Sequence, residues 1–201
     1  IRDGGIYVDQ GVIAGCSGGM YDNIAEAAAI LDGCSVGDGY FSLSVYPPSV
    51  PVNLRLIKDG VQQKLMEAGA LFKPCFCGPC FGAGDVPANN GLSIRHTTRN
   101  FPNREGSKPG DGQLAAVVLM DARSIAATAR NGGRLTAATE IDYVQPEDRP
   151  YEFDGSVYEK RVYSGFGHPD SSAELRFGPN IADWPAIPAL SDNLIMELAA
   201  V

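Results

Sequence analysis

No apolar run in this 201-residue chain approaches the ~20 residues a membrane helix needs, so no membrane partner is expected. Basic residues are scarce: 16 Lys and Arg against 24 Asp and Glu give a formal net charge of −8 and a pI near 4.7. A sequence-independent nucleic-acid binder needs a basic stripe to displace counterions; none is present, which excludes that class of partner. Histidine occurs only twice, at His96 and His168, and neither belongs to a pair such as H-x-x-x-H. The chain opens IRDGGIYVDQ, without an initiator Met and without the charged-then-apolar pattern of a signal peptide. It reads as a segment from the middle of a longer protein.

Cysteine is present but in the wrong pattern for a disulfide framework. Cys16, Cys34, Cys75, Cys77 and Cys80 are an odd number in a chain that is not small, and the last three crowd into six positions. A reducing, cytoplasmic setting fits better, and thiols there are more often metal ligands or catalysts than staples.

The first 140 residues alternate between strand-like and helix-like stretches. GVIAG (11–15), YFSLSVY (40–46), ALF (70–72), GLSIRHTT (91–98) and LAAVVLM (114–120) read as strands. YDNIAEAAAIL, from Tyr21 to the stop at Gly33, reads as a helix. VNLRLIKDGVQQKLMEAGA (52–70) has helical spacing interrupted at Gly60, and Asp121 is placed to cap a helix running to Gly132. Strands separated by helices predict a three-layer α/β/α domain around a mostly parallel sheet. From about Ile141 the chain becomes rich in Pro, Gly, acids and tyrosines, without periodicity. Residues 141–201 are therefore expected to be an irregular extension: a connector, then the apolar start of a further domain.

The stretch KPCFCGPCFG (73–82) allows several chemistries. CGPC is the sequence of a thioredoxin redox site, but there the motif opens a helix. Here FGAGDVPANNG follows Cys80, with three Gly, one Pro and two Asn in eleven positions, and cannot continue as one. Cys77 and Cys80 have a zinc-like spacer, without a recognisable second ligand pair. Buried structural thiols are the simplest reading of Cys34 and Cys75. An iron–sulfur reading draws on a third thiol, Cys16, in the glycine-rich turn GVIAGCSGG directly after a predicted strand. Loops at the carboxyl ends of parallel strands share one rim, so Cys16, Cys77 and Cys80 can meet there. Three cysteines leave one corner of a 4Fe–4S cluster without a protein ligand.

Taken in order, these motifs resemble the iron–sulfur domain of the aconitase family, which includes aconitase and the isopropylmalate and homoaconitate isomerases. IAGCSGGMYDNIAEAA is similar to the family's G-S-C-T-N-x-x-x-x-D/E segment, YPPSVPVNLRLIKDG to its P-G-S segment and helix, FCGPCFG to A-C-G-P-C-I/L-G, and HTTRNFPNREG to S-Y-N-R-N-F-x-G-R. The match spans residues 10–135. By resemblance, Cys16, Cys77 and Cys80 are the metal ligands of a 4Fe–4S cluster that an aerobic preparation can lose. Arg99 and Arg104 bind the carboxylates of a hydroxy di- or tricarboxylate that undergoes reversible dehydration. Two departures stand at Gly18 and Thr98, where the family has Asn; they point to a changed substrate or a divergent hydratase branch.

The family's serine base lies in another domain, and neither Ser17 nor Ser49 is assigned in its place; no catalytic residue is assigned in this chain. The chain alone is expected to be inactive, with the remaining domains of the polypeptide as partners. A second reading, a non-enzymatic iron- or oxygen-sensing or structural metal-binding module of the same fold, would bind iron without turnover. His96 is expected to be a hydrogen-bonded loop histidine, and His168 has no assigned role.

Overall fold

The structure is a computed structural model; it describes residues 1–37, 39–99, 112, 114–146, 150–160, 168 and 170–172. Five strands form where short apolar runs sit between glycine- or proline-containing turns: β1 (Gln10–Ile13), β2 (Ser42–Val45), β3 (Leu71–Phe72), β4 (Leu92–His96) and β5 (Ala116–Leu119). All pair in parallel, in the order β3-β2-β1-β4-β5. The chain adds β2 and β3 on one side of β1, then crosses to add β4 and β5 on the other. The strand order therefore reverses at β1, and in parallel α/β sheets the carboxyl end at such a point is where ligands bind.

The helices are α1 (Gly15–Gly18), α2 (Tyr21–Leu31), α3 (Val50–Lys58), α4 (Val61–Glu67), α5 (Ala122–Arg130) and α6 (Ser156–Glu159). Local chemistry sets their ends. Ser49 Oγ accepts from the backbone N–H of Val52 at 3.5 Å, with Pro51 in the first turn of α3. Gly60, at φ +73°, separates α3 from α4, as the interrupted pattern predicts. The Asp121 carboxylate accepts from Ser124 N–H at 3.1 Å and starts α5.

Alternation along the strands divides the sheet into two unlike faces. Ile13, Leu43, Val45 and Ile94 face the helices and pack with Ile24, Leu31, Leu56, Leu65 and Ile125 in one core. Each such aliphatic side chain contributes about 1.5–3 kcal/mol on burial. α2 meets α5 through small residues, Ala27 and Ala28 on one helix and Ala122, Ala126 and Ala129 on the other, all buried. The opposite face carries Val12, Ala14 and Tyr46 with buried Ser93 and Arg95. It is covered by the segment after β3, which contains a 3-10 turn at Gly78–Cys80. The parallel sheet is thus the middle layer of a three-layer α/β fold, and the second outer layer is mostly loop among the described residues.

A compact unit spans Ile1–Arg161. Past β5 and α5, Ile141, Tyr143 and Tyr151 lie against the helical core, and the rings of Tyr21 and Tyr151 sit 5.9 Å apart. In the second unit, Val162–Val201, the Asp170 carboxylate accepts from the backbone N–H of Ser172; the apolar run expected at 194–201 lies outside the described residues. No described helix is long and apolar enough to cross a membrane.

Burial alone would raise the Asp121 carboxyl, but its bonds to Ser124 and the nearby Arg123 outweigh this and hold it below its ordinary value of 3.8. A depressed carboxylate stabilises the fold above its unfolded pKa and loses that effect as pH falls through the folded one. Asp121→Ala is therefore expected to cost about 1 kcal/mol in urea denaturation at neutral pH. The gap between variant and parent should close in acid, below about pH 4; a pH-independent gap would show that the cap acts without its charge.

Candidate functional site

The rim of the sheet is built from three strand ends. β1 runs into Ala14, whose N–H donates to the carbonyl of His96 at 3.0 Å and so ties the end of β1 to the end of β4. Gly15 then reverses the chain at φ +76°, and Cys16 sits in the single turn of α1, exposed. Gly18, at the other end of that turn, rests directly on β4: a Cβ there would stand 1.8 Å from the His96 carbonyl oxygen. On this backbone position 18 has no space for a side chain.

Past β3, Lys73 N–H still donates to the Val45 carbonyl (2.9 Å), and the chain then turns back across the sheet. Cys80 N–H bonds the Cys77 carbonyl (3.2 Å), Phe81 N–H the Gly78 carbonyl (3.1 Å) and Ala83 N–H the same carbonyl (2.9 Å). No helix follows the second cysteine of the CGPC segment; the residues after it form turns and bends. The loop delivers Cys80, buried, against the turn that carries Cys16: a Cβ on Gly15 would lie 2.6 Å from Cys80 Sγ. Thr98, just past β4, places its Oγ1 3.5 Å from Cys16 Sγ.

The electrostatics describe the same grouping. The Cys77 thiol is pushed up, first by the charge of neighbouring Cys80, then by burial, by its hydrogen bond with Cys80 and by the charge of Cys16; the Arg99 guanidinium pulls the other way. Cys16, Cys77, Cys80 and Arg99 therefore share one field at the carboxyl rim. All three thiols are free of disulfides. Cys34 and Cys75 are half-buried, and burial pushes the Cys75 thiol up. Arg104 lies outside the described residues.

Among the described residues, no three His, Cys, Asp or Glu side chains close around a single ion position. A cubane cluster presents its irons at separate corners and takes thiolates that point inward from different sides, so its ligands are spread more widely than those of one ion. The charge of the neighbouring cysteines, which pushes the Cys77 thiol up, is what a cationic centre would relieve. Three thiols free of disulfides are the donor type an iron–sulfur cluster takes.

His96 is engaged by the fold. Its Nδ1 accepts from the N–H of Ala122 at 3.1 Å, and burial lowers its pKa against the opposing pull of Asp121, which favours the neutral ring this bond needs. Sequence reading passed over Arg95, treated there only as a strand residue. It is wholly buried, and the signal was available: a cation inside the apolar stretch LSIRH of a central strand.

A parallel α/β domain with free thiols at the carboxyl rim, where its strand order reverses, defines the class. The model of the aconitase family (aconitate hydratase) matches residues 2–127, and the chain belongs to that family. Its relatives include the 3-isopropylmalate dehydratase large subunit 1 of Methanopyrus kandleri, 39% identical over 122 residues, which are 60% of this chain and 29% of that protein. Large subunit 2 of Pyrococcus furiosus is 40% identical over 104 residues, 51% of this chain and 27% of that protein. The large subunit of Nitratidesulfovibrio vulgaris is 33% identical over 132 residues, 65% and 31% of the two chains. The chain thus spans under a third of the length of these relatives.

Gly18→Ala is expected to cost about 1–3 kcal/mol or more, because the obstacle is backbone and cannot rotate away; the urea midpoint measures it. A midpoint unchanged from the parent would mean that α1 does not rest on β4 as described.

Proposed function

We propose that Cys16, Cys77 and Cys80 hold three corners of a 4Fe–4S cluster in a hydro-lyase that dehydrates and rehydrates a small hydroxy di- or tricarboxylate. The observation that supports this is the contact of the Cys16 turn with Cys80 and Thr98 at the carboxyl rim of the parallel sheet, with Cys16, Cys77 and Cys80 all free of disulfides. The names of the relatives, all dehydratase subunits, support the reaction class. When bound, such a cluster supplies a Lewis-acidic iron at its protein-free corner for a substrate hydroxyl and carboxylate.

The chain's own residues have distinct tasks in this reading. Arg99 holds a substrate carboxylate through a forked, charge-assisted pair of hydrogen bonds, a geometry a lysine does not reproduce. Arg104 is assigned the same task on a second carboxylate. Thr98 Oγ1 stands 3.5 Å from the Cys16 sulfur, where its hydroxyl would help to orient that ligand. Proton transfer is assigned to a residue outside this chain: Ser49 Oγ is occupied in capping α3, and Ser17 is given no catalytic role. The isolated chain would then bind a cluster without turnover, with the remaining domains completing the site in a cytoplasmic enzyme.

Anaerobic iron and sulfide quantitation on the complete polypeptide tests the ligand set. Replacing Cys16, Cys77 or Cys80 by Ala is expected to abolish the visible iron–sulfur absorbance, while Cys34→Ala leaves it intact. Retention of a cubane by all three variants would sink the assignment. In the reconstituted complete protein, Arg99→Lys is expected to lower kcat/KM for a hydroxy-acid substrate about 10- to 100-fold. Iron bound with no turnover of any hydroxy acid would favour a sensor instead.

A further inference from the structure

The loop bearing Cys77 and Cys80 is wrapped around a buried cation. Arg95 leaves β4 on the face away from the helices and has no exposed surface. Its Nε donates to Ser93 Oγ at 3.0 Å, and one terminal nitrogen to Gln10 Oε1 at 3.1 Å, so the guanidinium is held by β4 and β1. The other terminal nitrogen donates to the carbonyl of Pro79 at 3.1 Å, inside the CGPC turn and one residue before Cys80. A further bond runs to the backbone carbonyl of Asp85. The Asp85 carboxylate in turn accepts from Tyr46 OH, on the chain leaving β2. Burial and the nearby Asp85 carboxylate push the Tyr46 hydroxyl far up, so it stays a donor at any ordinary pH.

We infer that Arg95 is the positioning residue of the thiol site: it holds the Cys77–Asp85 segment in its ligand-presenting shape whether or not a cluster is bound. Three features carry this. A guanidinium out of water must be met by oxygens, and leaving it partly unmet is costly, so the loop carbonyls of Pro79 and Asp85 are bound by need rather than by chance contact. The fork is planar and rigid; its directions fix where those two carbonyls can lie, and therefore where Cys80 lies between them. The tie reaches the far end of the segment as well, because the Asp85 side chain is itself held by the hydroxyl of Tyr46.

The inference rests on the cluster reading for its purpose, but not for its first test. Amide hydrogen exchange in the cluster-free complete polypeptide reads the loop directly, through the N–H groups of Cys80, Phe81 and Ala83. Arg95→Met is expected to speed their exchange roughly 10- to 100-fold while α2 and α5 stay protected. Arg95→Lys keeps the charge and loses the fork, so it should regain little of that protection. Ile94→Ala, on the same strand but facing the helices, lowers global stability and should leave the loop amides at their parental rank. In the cluster-loaded protein, a chelator should strip iron from Arg95→Met about 10- to 100-fold faster than from the parent, and from Ile94→Ala at the parental rate.

Parental loop protection in Arg95→Met, or equal loop exposure in Ile94→Ala, would overturn the inference. If Arg95→Met does not fold, Arg95→Lys decides alone, and parental protection there overturns it equally. A parent that binds no iron would refute the cluster reading and leave the exchange result standing.

Discussion

A cation with no water around it must be answered by oxygen, and around Arg95 that demand draws β1 and the segment after β3 to a point on β4. Gln10 comes from β1, Ser93 from β4, and the carbonyls of Pro79 and Asp85 from the long segment that crosses the sheet. Tyr46 joins by way of the Asp85 side chain and ties in the end of β2. The segment has no helix long enough to satisfy its own backbone and little apolar surface to bury, so its shape has to come from elsewhere. Hydrogen bonds to a buried charge are among the stronger ones a protein can make, and here they stand in for a packed core on this face. The other face needs no such device, because four helices bury aliphatic side chains against it.

The second constraint is closeness. The turn after β1 lies so near β4 that only hydrogen fits at position 18, and the turn's reversal at Gly15 leaves room for the Cys80 sulfur beside it. Bringing a cysteine turn, a second cysteine loop and an arginine together needs strands that end at the same level with chains diverging above them. A parallel sheet whose order reverses at β1 meets that need through topology alone.

Much of the secondary structure was legible because local physics decides it. The α2 pattern of alanines with an early acid and a Gly stop, the Asp121 cap of α5 and the break at Gly60 all depend on residues a few positions apart. The grouping of Cys16 with Cys77 and Cys80 was legible for a different reason: parallel topology sends every strand's exit to one rim, so motif position along the chain implies position in space. Arg95 was missed because its role depends on carbonyl groups, which every residue has and no motif records. The packing of Tyr143 and Tyr151 against the core was equally hidden, since a run without period carries no sign of which side chains turn inward.

By itself, then, the amino-acid order determined which segments carry the five described strands and helices α2 to α5, and which thiols sit in the loops that follow the strands. Those are consequences of backbone preference, side-chain capping and hydrophobic period, all short in range. Only the tertiary structure decided which face of the sheet takes helices and which takes the cysteine loop, how near α1 lies to β4, and what holds the loop in place. Those answers come from contacts between residues such as Gln10 and Arg95, which sequence separates widely and burial alone brings together.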